Sequence, residues 1–317
     1  MSKVARVRAA LRGEPVDRPP INFWFHFGVE DEPPSLVADL HLDLFRGFDL
    51  DWLKIMHDYP FGDISRMGAV KSPAELARLR PVAPNDGGFR RQLEVLARIA
   101  EAVGGDAWFV DTVFSPWSIG QMLTGGQIAD WLREEPASVS AGLGVIAESL
   151  SDYVPATVAT GVAGVFYVVD GYAAEHPAYQ EHVAPLDIEL LALASGNAFN
   201  VLHVHGVGAD LAVHAHQPVH AVSASVGCRT EQAATVRERL DCALISGLDE
   251  RETLPRGTPD AIRREVHRSA HRAGRTGLLI APGCALRPGI PEENLWAARE
   301  AVETLDSTDF GDSGPID

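Results

Sequence analysis

The sequence predicts an α/β fold, a (β/α)₈ TIM barrel, on three observations. Eight short β-rich runs alternate with longer stretches of helical periodicity. The runs are near-continuously apolar rather than alternating, as in strands covered on both faces. The 317 residues also suit a barrel, which takes about 250 residues before insertions. A doubly wound open sheet shares the alternation but calls for a Gly-rich phosphate loop after an early strand. Residues 27–30 (FGVE) do not supply one.

In chain order the runs are 21–27 (INFWFHF), 51–57 (DWLKIMH), 107–114 (AWFVDTVF) and 164–170 (GVFYVVD). They continue with 199–205 (FNVLHVH), 220–225 (HAVSAS), 242–247 (CALISG) and 277–284 (GLLIAPGC). Helical patterns between them include 87–105, 177–196 and 258–274; the last two open with Pro near the first turn and end near Gly, ordinary start and stop signals. No repeat or low-complexity linker divides the chain. We therefore expect a single barrel domain over 1–305 and a frayed acidic end at 306–317 (DSTDFGDSGPID).

Composition removes several function classes. With 44 acidic and 27 basic side chains the net charge is −17, which repels phosphate backbones and argues against nucleic-acid binding. A chain this long needs no disulfide or metal to fold. Its three cysteines, Cys228, Cys242 and Cys284, are an odd number at no framework spacing, as in a reducing compartment. The longest apolar stretch, 162–169, falls far short of the roughly 20 residues that span a bilayer. Residues 1–20 carry Arg6, Arg8 and Arg12 without the apolar segment of a secretory signal. The expectation is an acidic cytoplasmic protein with no membrane partner.

In a barrel the chemistry sits where strands end and βα loops begin. Polar groups there are His26 on the first run, His57 and Asp58 on the second, Asp111 within the third and Asp170 closing the fourth. The fifth run ends in His203 and His205 and the eighth in Cys284, while the sixth and seventh contribute only Ser223, Ser225 and Ser246. His203 and His205, two residues apart on a strand, point to the same side. Two imidazoles and the Cys284 thiolate would make a three-ligand zinc site with one open position, the arrangement of a catalytic zinc. An isolated His-x-His is more often a pair of ordinary histidines, and a lone Cys a small apolar residue. Their joint placement at two strand ends, with Cys284 in a Pro-Gly-Cys turn, favours metal binding.

The other candidates carry structural alternatives. Asp58 and Asp170 close apolar strands, where a carboxylate is costly unless paired or functional; each could instead cap the next helix. His26, among Trp24, Phe25 and Phe27, is a core histidine or a pocket wall. His214, His216 and His220 read as surface or structural residues at the opposite end of the barrel. Cys228 and Cys242 read as core thiols, and His267 and His271 as a solvated helix face.

ALRGEPVDRPPI near the N-terminus and GLLIAPGCALRPGIPEENLWAAREAV near the C-terminus resemble the two ends of the uroporphyrinogen decarboxylase superfamily. Between them SPWSIGQMLTGG, NVLHVHG and ISGLDERETLPRGTPDAI follow the family's order. The resemblance covers nearly the whole chain and itself implies a (β/α)₈ barrel. Its decarboxylase branch implies arginines in the loop after the first strand, a histidine at the position of Cys284 and a tyrosine near Gln121 and Met122. This chain has NFWFHFGVEDEPP in that loop, without arginine and with Glu30, Asp31 and Glu32, which would repel a polyanionic substrate. Asp58 does fall at the decarboxylases' key aspartate. The methylcobamide:thiol methyltransferase branch implies zinc held by His-x-Cys on the fifth strand and a Cys in the Pro-Gly-Cys turn. His203 and Cys284 match two ligands, and His205 stands where that branch has cysteine.

The resulting expectation is a zinc-dependent methyl or alkyl transferase acting on a small thiol. Zinc would be held by His203, His205 and Cys284, with Asp58, Asp170 and His26 as catalytic candidates. The methyl donor would be a corrinoid on a partner protein. The alternatives are a cofactor-free decarboxylase of uroporphyrinogen or of a smaller acid, a zinc lyase or hydrolase on the same barrel, and a non-enzymatic corrinoid- or metal-binding accessory protein. Decarboxylase relatives imply a homodimer.

Overall fold

Seven of the eight expected runs form strands in the computed structural model, which describes residues 1–62, 68–171, 177–206, 218–224, 242–274 and 276–305. The strands are β1 (Trp52–Ile55), β2 (Trp108–Phe114), β3 (Gly164–Asp170), β4 (Val201–His205), β5 (Ala221–Ala224), β6 (Ala243–Leu248) and β7 (Leu278–Pro282). They make one parallel sheet in chain order, each strand paired with its sequence neighbours. Sequential parallel pairing requires a crossover between strands, and the helices supply these. Ser225, Cys228, His214, His216 and the expected 306–317 tail lie outside the described residues.

The first expected strand, 21–27, is the main departure. It forms two isolated parallel bridges, Ile21 to Ile280 and Phe25 to Leu286. The bridges lie four positions apart on one side and six on the other, so no continuous ladder can stay in register across the turn that carries Cys284. Backbone bonds still tie the segment to both neighbours. Asn22 N–H donates to Ile280 O at 3.1 Å, His26 N–H to Leu286 O at 3.0 Å, and Asp51 N–H to Ile21 O at 3.0 Å. A complete eight-stranded barrel is therefore not formed by regular strands among the described residues. What is formed is a curled seven-stranded parallel sheet with helices.

The helices are α1 (Lys3–Leu11), α2 (Pro34–Gly47), α3 (Pro73–Leu76), α4 (Gly87–Val103), α5 (Pro116–Thr124), α6 (Ile128–Glu134) and α7 (Pro136–Ala159). They continue with α8 (Pro177–His182), α9 (Ala184–Leu193), α10 (Thr253–Arg256), α11 (Pro259–Ala273) and α12 (Glu292–Thr304). Local sequence sets their ends. Ser115 and Thr258 side chains accept from Ser118 N–H at 3.1 Å and Ala261 N–H at 3.3 Å, capping α5 and α11, each of which has Pro in its first turn. Gly104 closes α4 at φ 54°, a left-handed conformation that glycine adopts without strain. The pattern over 177–196 was expected to be one helix; it is two, broken at Val183 just before Pro185. No described helix is long and apolar enough to cross a membrane.

Side chains alternate across the sheet. Trp52, Val110, Phe166, Val201, Ala221 and Leu279 share one inner cluster with Trp24, while the opposite face packs on the helices. A buried ion network anchors the inner segment from below. Asp51, with no exposed surface, accepts from Arg6 Nη1 at 2.6 Å, Arg18 Nη1 at 2.6 Å and Ile21 N–H at 2.9 Å.

A candidate metal centre at the strand ends

The inner face of β4 carries Val201, His203 and His205, and the turn after β7 carries Cys284. Curling of the sheet brings these elements together across a separation of 79 residues, with Cys284 Sγ 3.7 Å from His205 Nδ1. One donor atom from each of His203, His205 and Cys284 lies within 4.8 Å of the others. His203 is buried, His205 exposed and Cys284 intermediate, so the cluster runs from the interior to the rim.

The neighbours prepare His203 as a neutral ligand. Its Nδ1 lies 3.2 Å from the Ser223 hydroxyl on the adjacent strand, where His203 and Ser223 are register partners. Its ring stacks on Phe166 at 5.3 Å between centroids. Burial, with Lys54 and His205 nearby, holds the imidazole well below the ordinary histidine range. Burial pushes the Cys284 thiol up, while the Ala285 N–H and Lys54 pull the other way.

His26 and Asp58 form a second pair. His26 Nδ1 lies 2.8 Å from Asp58 Oδ1, with the histidine side chain 51% and the aspartate 11% exposed. Asp58 also lines a small open cleft with Val29, Val37, His41, Met56 and Tyr59. Asp170 is the register partner of His205 on β3, and its carboxylate accepts from Gln121 Nε2 at 3.4 Å. It is not part of the three-residue donor cluster.

The remaining candidates lie outside that donor cluster. Asp111 faces the helices, where Gln92 Nε2 and the Tyr153 hydroxyl each donate to it at 2.7 Å. Burial pushes its carboxyl up to about 7. His57 packs against Phe89 and Tyr153, and burial lowers it to about 4. His220 Nδ1 accepts from Asn200 N–H at 3.0 Å. Cys242 is partly buried against the sheet–helix core. His267 Nε2 lies 3.5 Å from the Thr304 hydroxyl, and His271 is exposed.

Two residues near the site escaped the sequence reading. Lys54 on β1 is buried inside the sheet, its ammonium 4.6 Å from the centroid of the Phe166 ring on which His203 stacks. A lysine inside the apolar run DWLKIMH was the available signal, because an unpaired charge is rarely tolerated there. Glu250, in the turn after β6, has a side chain only 6% exposed and a loose 3.7 Å ion pair to Arg251. Burial raises its carboxyl while the Gly283 N–H pulls the other way, and its charge raises the Cys284 thiol. Nothing in the local sequence marks it.

Comparison with known proteins agrees with this architecture. A uroporphyrinogen decarboxylase from Prochlorococcus marinus (strain NATL2A) is 24% identical over 93% of this chain and 95% of its own. One from Synechococcus sp. (strain CC9605) is 24% identical over 90% and 92%. Among solved structures, a methyltransferase from Methanosarcina mazei superposes with a TM-score of 0.79 at 21% identity, over 96% of this chain and 98% of its own. A B12-independent methionine synthase from Shewanella sp. W3-18-1, in complex with selenomethionine, gives 0.57 at 13% identity over 90% and 97%. The uroporphyrinogen decarboxylase (URO-D) family model matches residues 34–305, the whole span from α2 to α12, and the chain belongs to that family.

Proposed function

We propose that this chain is a zinc-dependent transferase that moves a methyl or other alkyl group from a corrinoid donor to a small thiol. The observation carrying the proposal is the convergence of His203, His205 and Cys284 donors within 4.8 Å. The donor set fits zinc. Bonds of about 2.0–2.1 Å to nitrogen and 2.3 Å to sulfur put tetrahedral ligands about 3.4–3.8 Å apart, and the Sγ to Nδ1 distance is 3.7 Å. The solved methyltransferase from Methanosarcina mazei, with the same fold over nearly its whole length, supports the choice of branch.

His203, His205 and Cys284 would hold the ion, which would supply Lewis acidity to a bound thiol. The chain's own groups do the rest. The hydrogen bond between Asp58 and His26 fixes the imidazole tautomer and leaves Nε2 to take the thiol proton. The thiol sulfur would form its bond to the methyl carbon with its own electron pair as the donor–carbon bond breaks, and the pair of that broken bond would stay on the donor. Phe166 and Trp24 wall the interior against water, and Asp170, beside His205 in register, orients the rim. In this reading the sheet closes through residues 20–26 into an eight-position barrel, whose mouth receives the corrinoid partner; a homodimer is part of the same reading.

His205 favours a second reading. One thiolate and two imidazoles leave a zinc site at about +1, a stronger Lewis acid than a two-thiolate site and better suited to acidifying water. That reading is a zinc hydrolase or lyase. Decarboxylation remains the activity named for the sequence relatives, with Asp58 as its candidate residue.

Metal analysis of the purified protein separates these branches, followed by methyl transfer from methylcobalamin to a panel of thiols. We expect stoichiometric zinc and its loss in His203→Ala and Cys284→Ala together with transfer. Absence of zinc, or variants retaining full metal and activity, would refute the proposal. Coproporphyrinogen formed from uroporphyrinogen would establish the decarboxylase instead.

A further inference from the structure

Helix α11 presents a basic face on a chain whose net charge is −17. Ile262, Val266 and Ala270 are its buried side. Arg264, Arg268, His271 and Arg272 are exposed, and their spacing of three and four residues puts them on one stripe. Among the described residues Arg264, His271 and Arg272 make no ion pair, and Arg268 meets only the charge of Glu265 on its own helix. Arg263, beside the stripe, is already held by Asp260 at 3.0 Å and Glu300 of α12 at 3.3 Å. Like charges four residues apart on a helix repel, so the stripe is improved by an anion laid along it.

The chain leaves α12 against the middle of this helix. Thr304 ends α12, and its hydroxyl lies 3.5 Å from His267 Nε2. His267 is within about one turn of Arg264, Arg268 and His271. Leu305 packs on the core. Residues 306–317 then read DSTDFGDSGPID, with Asp306, Asp309, Asp312 and Asp317 and no base. Fully extended, such a segment reaches up to about 40 Å, whereas Arg264 and Arg272 are about 12 Å apart along the helix axis.

We infer that residues 306–317 dock along the α11 stripe of the same copy, with aspartates among Arg264, Arg268 and Arg272, in place of the frayed end that composition alone suggests. Tethering favours this segment over any separate acidic surface, because a short linker holds its carboxylates at about millimolar effective concentration. Docked there, the segment relieves the repulsion among the arginines and closes the face to other anions.

Carbodiimide coupling of the full chain carrying Arg268→Lys tests this, since the substitution keeps the charge and adds an amine able to form an amide with a neighbouring carboxylate. Lys3, paired with Asp49, is the internal control for folding and reactivity. We expect a link from position 268 to Asp306, Asp309 or Asp312, formed within one copy when isotopically labelled and unlabelled proteins are mixed. Adding Arg264→Gln and Arg272→Gln should lower its yield, relative to the Lys3–Asp49 link, by about threefold or more, as for two exposed ion pairs. A Lys3–Asp49 link with none to 306–317, a link made only between copies, or a yield indifferent to the two arginines would each overturn the proposal.

Discussion

Ser223→Ala separates a prepared metal ligand from a histidine that merely lies near a cysteine. Ser223 is fully buried on β5, and its hydroxyl lies 3.2 Å from His203 Nδ1. With Nδ1–H donating to that hydroxyl, the lone pair is at Nε2 and the ring is fixed in orientation. Removing the oxygen leaves a buried N–H unsatisfied, a cost of about 1–3 kcal/mol. Loss of a hydrogen-bond partner behind a ligating histidine typically lowers metal affinity by about 10–100-fold. Part of the cost also falls on the metal-free protein, so we expect about tenfold weaker zinc binding, or roughly 1.4 kcal/mol. Competition against a chromophoric chelator measures the affinity, and thermal melting of the metal-free variant checks the fold. A folded Ser223→Ala protein with wild-type zinc affinity would refute the view that β5 prepares His203 for the ion.

Two further substitutions test the frame around the site. Asp51→Asn removes the anion that Arg6 and Arg18 share but leaves them Asp17 and Glu303, so the loss is expected near or below the low end of the about 3–5 kcal/mol of a broken buried pair; urea unfolding should show it, and a change under about 1 kcal/mol would mean that the network does not anchor residues 20–26. Asp111 keeps its proton up to about pH 7 when folded against an ordinary value of 3.8, so between those values the folded state binds more protons and stability falls as pH rises. Asp111→Asn should flatten that fall by up to about 4 kcal/mol, and stability curves superimposable on wild type from pH 4 to 8 would contradict the burial argument.

The strands were legible because each is a short apolar run that must be covered on both faces. β2 and β3 lie inside runs marked out by local composition alone. The first expected strand was not legible in detail. Its failure to pair continuously arises from Ile21 and Phe25 meeting Ile280 and Leu286 at unequal spacing, a property of two distant segments together. The break at Val183 between α8 and α9 has a local cause, since Pro185 disfavours helical backbone just before it.

The site divides the same way. That His203 and His205 share a face is a consequence of strand geometry and needs only the sequence. Lys54 was visible as a charge in an apolar strand, yet its place against the Phe166 and Trp24 rings became evident only with its surroundings. The sequence by itself determined the residue types, their strand-end positions and the family. Tertiary structure alone decided that Cys284 meets His205, that Asp58 pairs with His26, that Asp111 faces helices, and that Ser223 stands behind His203. The physical reason is that alternation along a strand is local, whereas these meetings depend on how the sheet curls and on pairing register between segments far apart in the chain.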